Sequence, residues 1–129
     1  MKITNRQIVN IYNNIGAIRN KNLPIKLGFA INRNMKAMET IAESYSAEQK
    51  KILDRYCEKD EFGQFRTEGD EFVLSDRKAY AKEIGELLAI ESEVQVHTVS
   101  IEEIEKCDSG KYDALTPNEL ALLEFMIEE

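Results

Sequence analysis

The sequence predicts an α+β fold that is mainly α-helical, with long helices packed antiparallel, a β-hairpin and one additional short strand. Three observations predict this fold class. Capping-box patterns, in which Ser or Thr precedes Glu or Gln by three residues, mark helix starts at Thr4, Ser46, Ser100 and Thr116. Apolar residues recur at three- and four-residue spacing over long segments, as in amphipathic helices. Residues 94–99 alternate between apolar and polar, as half-buried strands do.

The first half of the chain predicts two helices, over 5–19 and over 24–57. The first helix is expected to bury Ile8, Ile11, Tyr12, Ile15 and Ile18. The second would be about 50 Å long, with a seam whose 3-4 spacing is typical of helices packed side by side; its members are Ile31, Met35, Met38, Ala42, Tyr45, Gln49, Ile52 and Tyr56. Such a seam serves either an intramolecular bundle or a homo-oligomer.

Two alternatives remain for this second helix. The capping box at Ser46 is compatible with two helices separated near Ser44. Apolar residues at 23, 25, 27 and 29 alternate with other residues, which is also the pattern of a short strand. We favour a helix that begins near Pro24.

The second half predicts smaller elements. Residues 64–67 and 72–74 indicate a β-hairpin or an ordered loop around 68–71. Ser75 or Asp76 is expected to cap a helix over 77–90, and the 94–99 strand follows. A short helix over 101–106 and a terminal helix from Pro117 complete one domain, residues 1–129.

Composition places the protein among globular intracellular chains. Cys57 and Cys107 stand fifty residues apart with no CxxC motif, which indicates reduced thiols, a single disulfide being the alternative. The N-terminus lacks the apolar core of a signal peptide. No segment has the ~20 apolar residues of a membrane span. We therefore expect a cytoplasmic protein with no membrane partner.

Charge is distributed unevenly along the chain. Residues 1–38 contain seven basic residues and no carboxylate, whereas residues 39–129 contain ten basic and 24 acidic residues, a net charge of -14. The candidate anion- or partner-binding residues are Arg19, Lys21, Lys26, Arg33 and Lys36. One interpretation is a site for a phosphate-bearing ligand or an acidic protein surface. The other is internal pairing with the glutamate-rich segment 102–129, which would be common and uninformative.

Residues that could carry chemistry do not form a recognisable catalytic motif. His97 is the only histidine, and local spacing supplies neither a nucleophile nor an orienting carboxylate. The acidic cluster at 68–71 lacks the ligand spacing of an EF-hand loop. The net charge of -7 disfavours extended nucleic acid. The sequence therefore predicts a non-enzymatic protein with no catalytic residue, no metal and no cofactor.

Several short motifs, taken in order, resemble a known family. They are residues 2–10, Leu23-Pro24-Ile25-Lys26-Leu27 with Ala30, Ile31 and Asn34, Arg55-Tyr56 with 58–60, 83–88, Glu91 with 93–94, Leu115-Thr116-Pro117 and 123–129. Together they cover nearly the whole chain and resemble small proteins of unknown function encoded by phages and prophages of Firmicutes. That family has no agreed catalytic residues, so the resemblance implies no site. It implies a phage-encoded accessory protein made inside a bacterium.

We accordingly predict a phage-encoded accessory protein that acts by stoichiometric binding in counter-defence. It would either cap a host immune protein or sequester a small anionic nucleotide signal at the basic segment. The alternative is a structural or assembly protein of the virion that oligomerises through its helical seam. The expected partners are thus a host or phage protein, or an anionic nucleotide.

Overall fold

A computed structural model describes residues 1–128 and confirms the mainly helical α+β fold with one long helix. The elements in chain order are β1 (Lys2–Thr4), α1 (Asn5–Asn14), α2 (Gly16–Arg19), α3 (Ile25–Tyr56), β2 (Thr67–Glu68), β3 (Glu71–Phe72), α4 (Arg77–Ala89), β4 (Glu91–Glu93), α5 (Ile101–Glu105) and α6 (Pro117–Leu123). Single 3₁₀ turns follow α5 and α6, at Lys106–Asp108 and Glu124–Met126. Among the described helices, none is long and apolar enough to cross a membrane.

The central element is α3, whose 32 residues span about 48 Å at about 1.5 Å per residue. Its C-terminal half packs antiparallel to α4, since Tyr56 contacts Tyr80 near the start of α4 and Tyr45 packs with Leu87 near its end. Its N-terminal half packs against α1, where the Tyr12 hydroxyl donates to the Met35 carbonyl over 2.7 Å. The long helix therefore joins two packing regions.

The main hydrophobic core surrounds the N-terminal half of α3. Ile8, Ile11 and Ile18 from α1 and α2 enter it, and Leu123 and Met126 close it from the C-terminal segment. A second, smaller cluster lies between α3 and α4. The seam residues Ile31, Met35, Met38, Tyr45 and Ile52 are all buried within one chain. The predicted seam is thus occupied by intramolecular packing.

The predicted strand over 94–99 is wrong. The strand is instead β4, which pairs antiparallel with β1 so that Ile3 lies opposite Ser92. Val94 exchanges backbone hydrogen bonds with Met1, but residues 95–98 join no strand, and the buried Asn34 side chain instead pairs with the N–H and the carbonyl of His97. Val99 makes only a single parallel bridge to Ile127. Sequence alternation therefore reported the burial of Val94 and Val96 but not ladder formation.

The helices differ from the prediction at three places. The helix expected over 5–19 divides at Ile15 into α1 and α2, and Gly16, which lowers helix stability by roughly 1 kcal/mol relative to Ala, begins the second part. Ser46 caps nothing, since α3 continues through it without a break. Ser100 precedes α5 but its side chain makes no capping bond. The capping boxes at Thr4 and Thr116 are confirmed.

The end of the molecule beyond the C-terminus of α3 holds the hairpin predicted around 68–71. β2 and β3 pair antiparallel there, and Phe65 meets Phe72 edge to face with ring centroids 6.1 Å apart. Isolated bridges join Cys57 to Leu74 and Lys59 to Phe65. Both cysteines are free, buried thiols, as expected.

Candidate functional site

The five candidate residues differ in their surroundings. Lys21 is paired internally, since its ammonium donates to the Ala114 carbonyl over 2.6 Å and to the Glu119 carboxylate over 2.8 Å. This contact also lowers the pKa of Glu119, aided by the Thr116 backbone N–H. For Lys21, the interpretation as internal pairing with the glutamate-rich C-terminal segment therefore holds.

Arg19 is the last residue of α2, and its side chain is exposed. Burial and then Glu39 raise the pKa of the Tyr12 hydroxyl, and Arg19 opposes this shift. The exposed Arg19 side chain makes no ion pair with a described residue. Glu39 acts on the same Tyr12 hydroxyl with the opposite sign. We therefore do not assign Arg19 to the same surface as Lys26.

Lys26, Arg33 and Lys36 share the outward side of the first three turns of α3. All three are exposed, and none makes an ion pair with another residue in the range 1–128. The same side carries Ile25 and Phe29, at the i, i+4 spacing that aligns side chains on a helix. We call these five residues the basic-apolar face.

The two apolar members of the basic-apolar face are unusually exposed for large side chains. Ile25 is 87% exposed and Phe29 is 61% exposed. The guanidinium of Arg33 lies over the Phe29 ring, with 5.7 Å between its carbon and the ring centroid. Such a cation–π contact contributes about 0.5–1 kcal/mol at an exposed site. It also holds the aromatic ring and the positive charge side by side.

A shallow groove borders the basic-apolar face, between the start of α3 and residues 97–100. Its volume is about 340 Å³, and its lining residues are Lys26, Phe29, Ala30, His97, Thr98, Val99, Ser100, Glu103 and Glu128. The Glu103 carboxylate accepts from Lys106 over 2.8 Å, and that of Glu128 accepts from the Thr98 hydroxyl over 3.0 Å. The groove therefore contains carboxylates as well as Lys26.

Residues 97–100 form one wall of the groove, and Asn34 fixes this wall to α3. Its amide donates to the His97 carbonyl over 2.9 Å, and its oxygen accepts from the His97 N–H over 2.7 Å. Asn34 is only 1% exposed. Backbone bonds between Val99 and the C-terminal segment hold the wall from its other side, at 2.9 Å to Met126 and 2.7 Å to Glu128.

Sequence reasoning missed both the apolar part of the face and the role of Asn34. A signal for Asn34 was present, because Leu27, Ile31, Asn34 and Met38 follow the 3-4 spacing of the buried seam with one polar member. Ile25 and Phe29 lie off that seam, on the side of the helix that carries Lys26 and Arg33. Apolar residues on the polar side of a helix are the signal for an exposed apolar patch.

In comparisons with known proteins, this chain matches no family model, no curated protein and no solved structure. The function must therefore be inferred from the chemistry of the basic-apolar face and the neighbouring groove.

Proposed function

We propose that this protein is a non-enzymatic accessory protein that acts by stoichiometric binding, covering a partner protein with the basic-apolar face. The observation that carries the proposal is the exposure of Ile25 and Phe29 on adjacent helical turns, flanked by three cations without ionic partners among the described residues. Contiguous exposed apolar side chains mark interaction surfaces. Aromatic residues and Arg are enriched at the centres of protein interfaces.

The charge of the face defines the chemistry of the partner. Lys26, Arg33 and Lys36 give this surface a positive field, although the whole chain has a net charge of -7. A complementary partner surface presents an apolar or aromatic anchor surrounded by carboxylates. Ile25 and Phe29 would pack on that anchor, and the three cations would meet the surrounding carboxylates. Complementary charge of this kind accelerates association and selects the partner.

The geometry favours a protein partner over a small anionic nucleotide. Glu103 and Glu128 line the groove beside Lys26, and their carboxylates repel phosphate groups. Arg33 already occupies a position over the Phe29 ring, where a base would stack. The face is a helix ridge rather than an enclosing pocket, which small ligands require.

The biological role that we propose is counter-defence, with a host immune protein as the covered partner; the phage origin is what the resemblance implies. An assembly role through the helical seam has less support. The seam residues Ile31, Met38 and Tyr45 are buried by α1 and α4 of the same chain, so they offer no free surface.

Co-purification with charge-reversal variants tests the proposal. The tagged protein is expressed in a bacterial host alongside Lys26→Glu/Arg33→Glu and a charge-matched control, Lys78→Glu/Lys82→Glu. The control residues are exposed on α4 and change the net charge by the same amount. We expect a partner in near-equal amounts with the original chain and the control. Recovery with the face variant should fall at least about tenfold, as expected when charged interface contacts are reversed.

Three outcomes would contradict the proposal or part of it. Equal recovery of the partner with both double variants would show that the face is not the binding surface. A rise in melting temperature with a nucleotide messenger, lost in Lys26→Glu/Arg33→Glu, would replace the protein partner by a nucleotide. Abundant protein in purified virions would contradict counter-defence as its main role.

A further inference from the structure

The loop of residues 60–64, which we call the Phe62 loop, holds an aromatic side chain in solvent. Phe62 is 80% exposed. The Asp60 carboxylate accepts from the N–H of Phe62 over 2.8 Å and from that of Gln64 over 3.0 Å, and the Asp60 N–H donates to the Gln64 carbonyl over 2.8 Å. Gly63 closes the loop at φ +78°, where a side chain would be strained. The loop is thus preorganised around an exposed anchor.

The surroundings of Phe62 are acidic. Residues 58–71 contain six acidic and two basic residues. Both basic side chains are already paired, Lys59 with Asp54 over 3.1 Å and Arg66 with Glu58 over 3.5 Å. Asp60 and Glu61, which precede Phe62 directly, make no ion pair with another described residue. The Phe62 loop therefore combines one aromatic anchor with negative charge.

This combination is complementary to the basic-apolar face. The face presents apolar surface with cations, and the loop presents an apolar anchor with carboxylates, and within residues 1–128 neither set makes an ion pair. The loop of a chain does not reach the face of the same chain, because it borders Lys50 and Asp54, and the 14 residues of α3 from Lys36 to Lys50 span about 21 Å at about 1.5 Å rise per residue. The complementary surface that the loop can reach belongs to a second copy.

We propose that the Phe62 loop of one copy docks on the basic-apolar face of a second copy, head to tail. This inference rests on the face assigned under the proposed function and adds the kind of segment that it accepts: an acidic loop with one aromatic anchor. Each docked pair leaves one face and one loop unoccupied, so association extends with concentration. Because the complementarity is largely electrostatic, salt weakens it. The docked loop competes with the partner protein for the same face.

Sedimentation velocity of the 129-residue chain tests this arrangement with two variants. Phe62→Ala removes the anchor, and Lys26→Glu/Arg33→Glu reverses the face. The original chain is expected to form larger species as its concentration rises, and added salt should reverse this. Each variant alone should sediment as a monomer, with self-association at least about tenfold weaker, because loss of a central anchor commonly weakens an interface by that factor. An equimolar mixture should form dimers and nothing larger, since only one functional loop and one functional face remain per pair.

Controls make the result specific. Lys78→Glu/Lys82→Glu matches the charge change of the face variant, and Ile90→Ala removes another exposed apolar side chain; both should associate like the original chain. The proposal is overturned if the original chain stays monomeric at millimolar concentration and low salt. It is also overturned if Phe62→Ala associates undiminished, or if the mixture of the two variants stays monomeric.

The same variants distinguish failure of the self-docking proposal from failure of the proposed partner binding. Phe62→Ala leaves the face intact, so it should still recover the partner protein from cells. If it does and no self-association occurs, the face binds a partner but not a second copy. If Lys26→Glu/Arg33→Glu both self-associates and recovers the partner, the assignment of the face is wrong for both.

Discussion

Asn34 is the residue that connects the long helix to the wall of the groove. It is buried, and its side chain both donates to and accepts from the backbone of His97. A buried polar pair of this kind is costly to break, because the remaining partner groups lose their hydrogen bonds without regaining water. Asn34 therefore determines the conformation of residues that sequence alternation assigned to a strand.

We expect Asn34→Ala to lower the free energy of unfolding by about 2 kcal/mol, since it leaves the His97 N–H and carbonyl unpaired. Urea denaturation measures this change. Asn32→Ala is the matched control, because Asn32 is exposed on the same helix and makes no side-chain hydrogen bond with a described residue; its effect should stay within about 0.5 kcal/mol. Equal effects of the two substitutions would show that the contact with His97 is not stabilising.

At the scale of elements, α3 is continuous through the position where the sequence allowed a break. The predicted cap at Ser46 fails because burial of Tyr45 and Ile52 on either side maintains one helix against the local signal. The predicted caps at Thr4 and Thr116 form because both residues have extended backbone and directly precede a helix. A capping motif alone is local information, whereas continuity depends on what the helix packs against.

Ala47→Pro distinguishes a continuous helix from a broken one. If Ser46 were an N-cap, Pro at 47 would occupy the favourable first helical position. Within α3 it removes a backbone hydrogen bond and clashes with the preceding turn, so we expect a loss of about 3 kcal/mol in thermal or urea unfolding. Ala47→Gly controls for lost helix propensity and should cost about 1 kcal/mol. A proline variant as stable as the original chain would contradict an unbroken α3.

The pair of Lys21 and Glu119 joins the turn before α3 to the start of α6. Lys21 and the Thr116 N–H lower the pKa of Glu119 from its ordinary value of 4.5. A carboxylate whose folded-state pKa is lowered contributes stability above its unfolded-state pKa. That contribution is lost as the pH falls through the folded-state value.

Glu119→Gln should therefore reduce stability by roughly 1 kcal/mol at pH 7, as for a partly exposed ion pair, and the difference should close below pH 4.5. Unfolding by urea across this pH range measures it. Glu124→Gln removes the same charge from an exposed side chain without a described partner and should show no such pH dependence. A difference that persists at acidic pH would exclude the ion pair as its cause.

At the scale of the whole molecule, charge and apolar exposure are segregated toward the two ends of α3. The acid-free region 1–38 supplies the cations, and Asp60 and Glu61 supply carboxylates that make no ion pair with another described residue. The sequence alone predicted the acid-free region and the long helix. It did not predict that Lys21 would be neutralised while Lys26 and Arg33 stay available, because this depends on where Glu119 lies in the fold.

The same limit explains the strand that did not form. Alternation predicts that Val94 and Val96 face inward, which holds in the structure, whereas Val99 is buried out of that period. Whether such a segment joins a sheet depends on the partner that meets its backbone, and Asn34, 63 residues earlier, is that partner. Contacts between residues so far apart in the chain leave no local pattern.

The central claim, that the basic-apolar face is the binding surface, is tested most directly by hydroxyl-radical footprinting of the complex with the co-purified partner. The Phe62→Ala chain is used, so that self-association does not protect the face. We expect oxidation of Phe29 to fall several-fold on binding, because burial in an interface excludes the radical with the solvent. Oxidation of Phe72, on the distant hairpin, should be unchanged. Equal oxidation of Phe29 in the free chain and in the complex would contradict the claim.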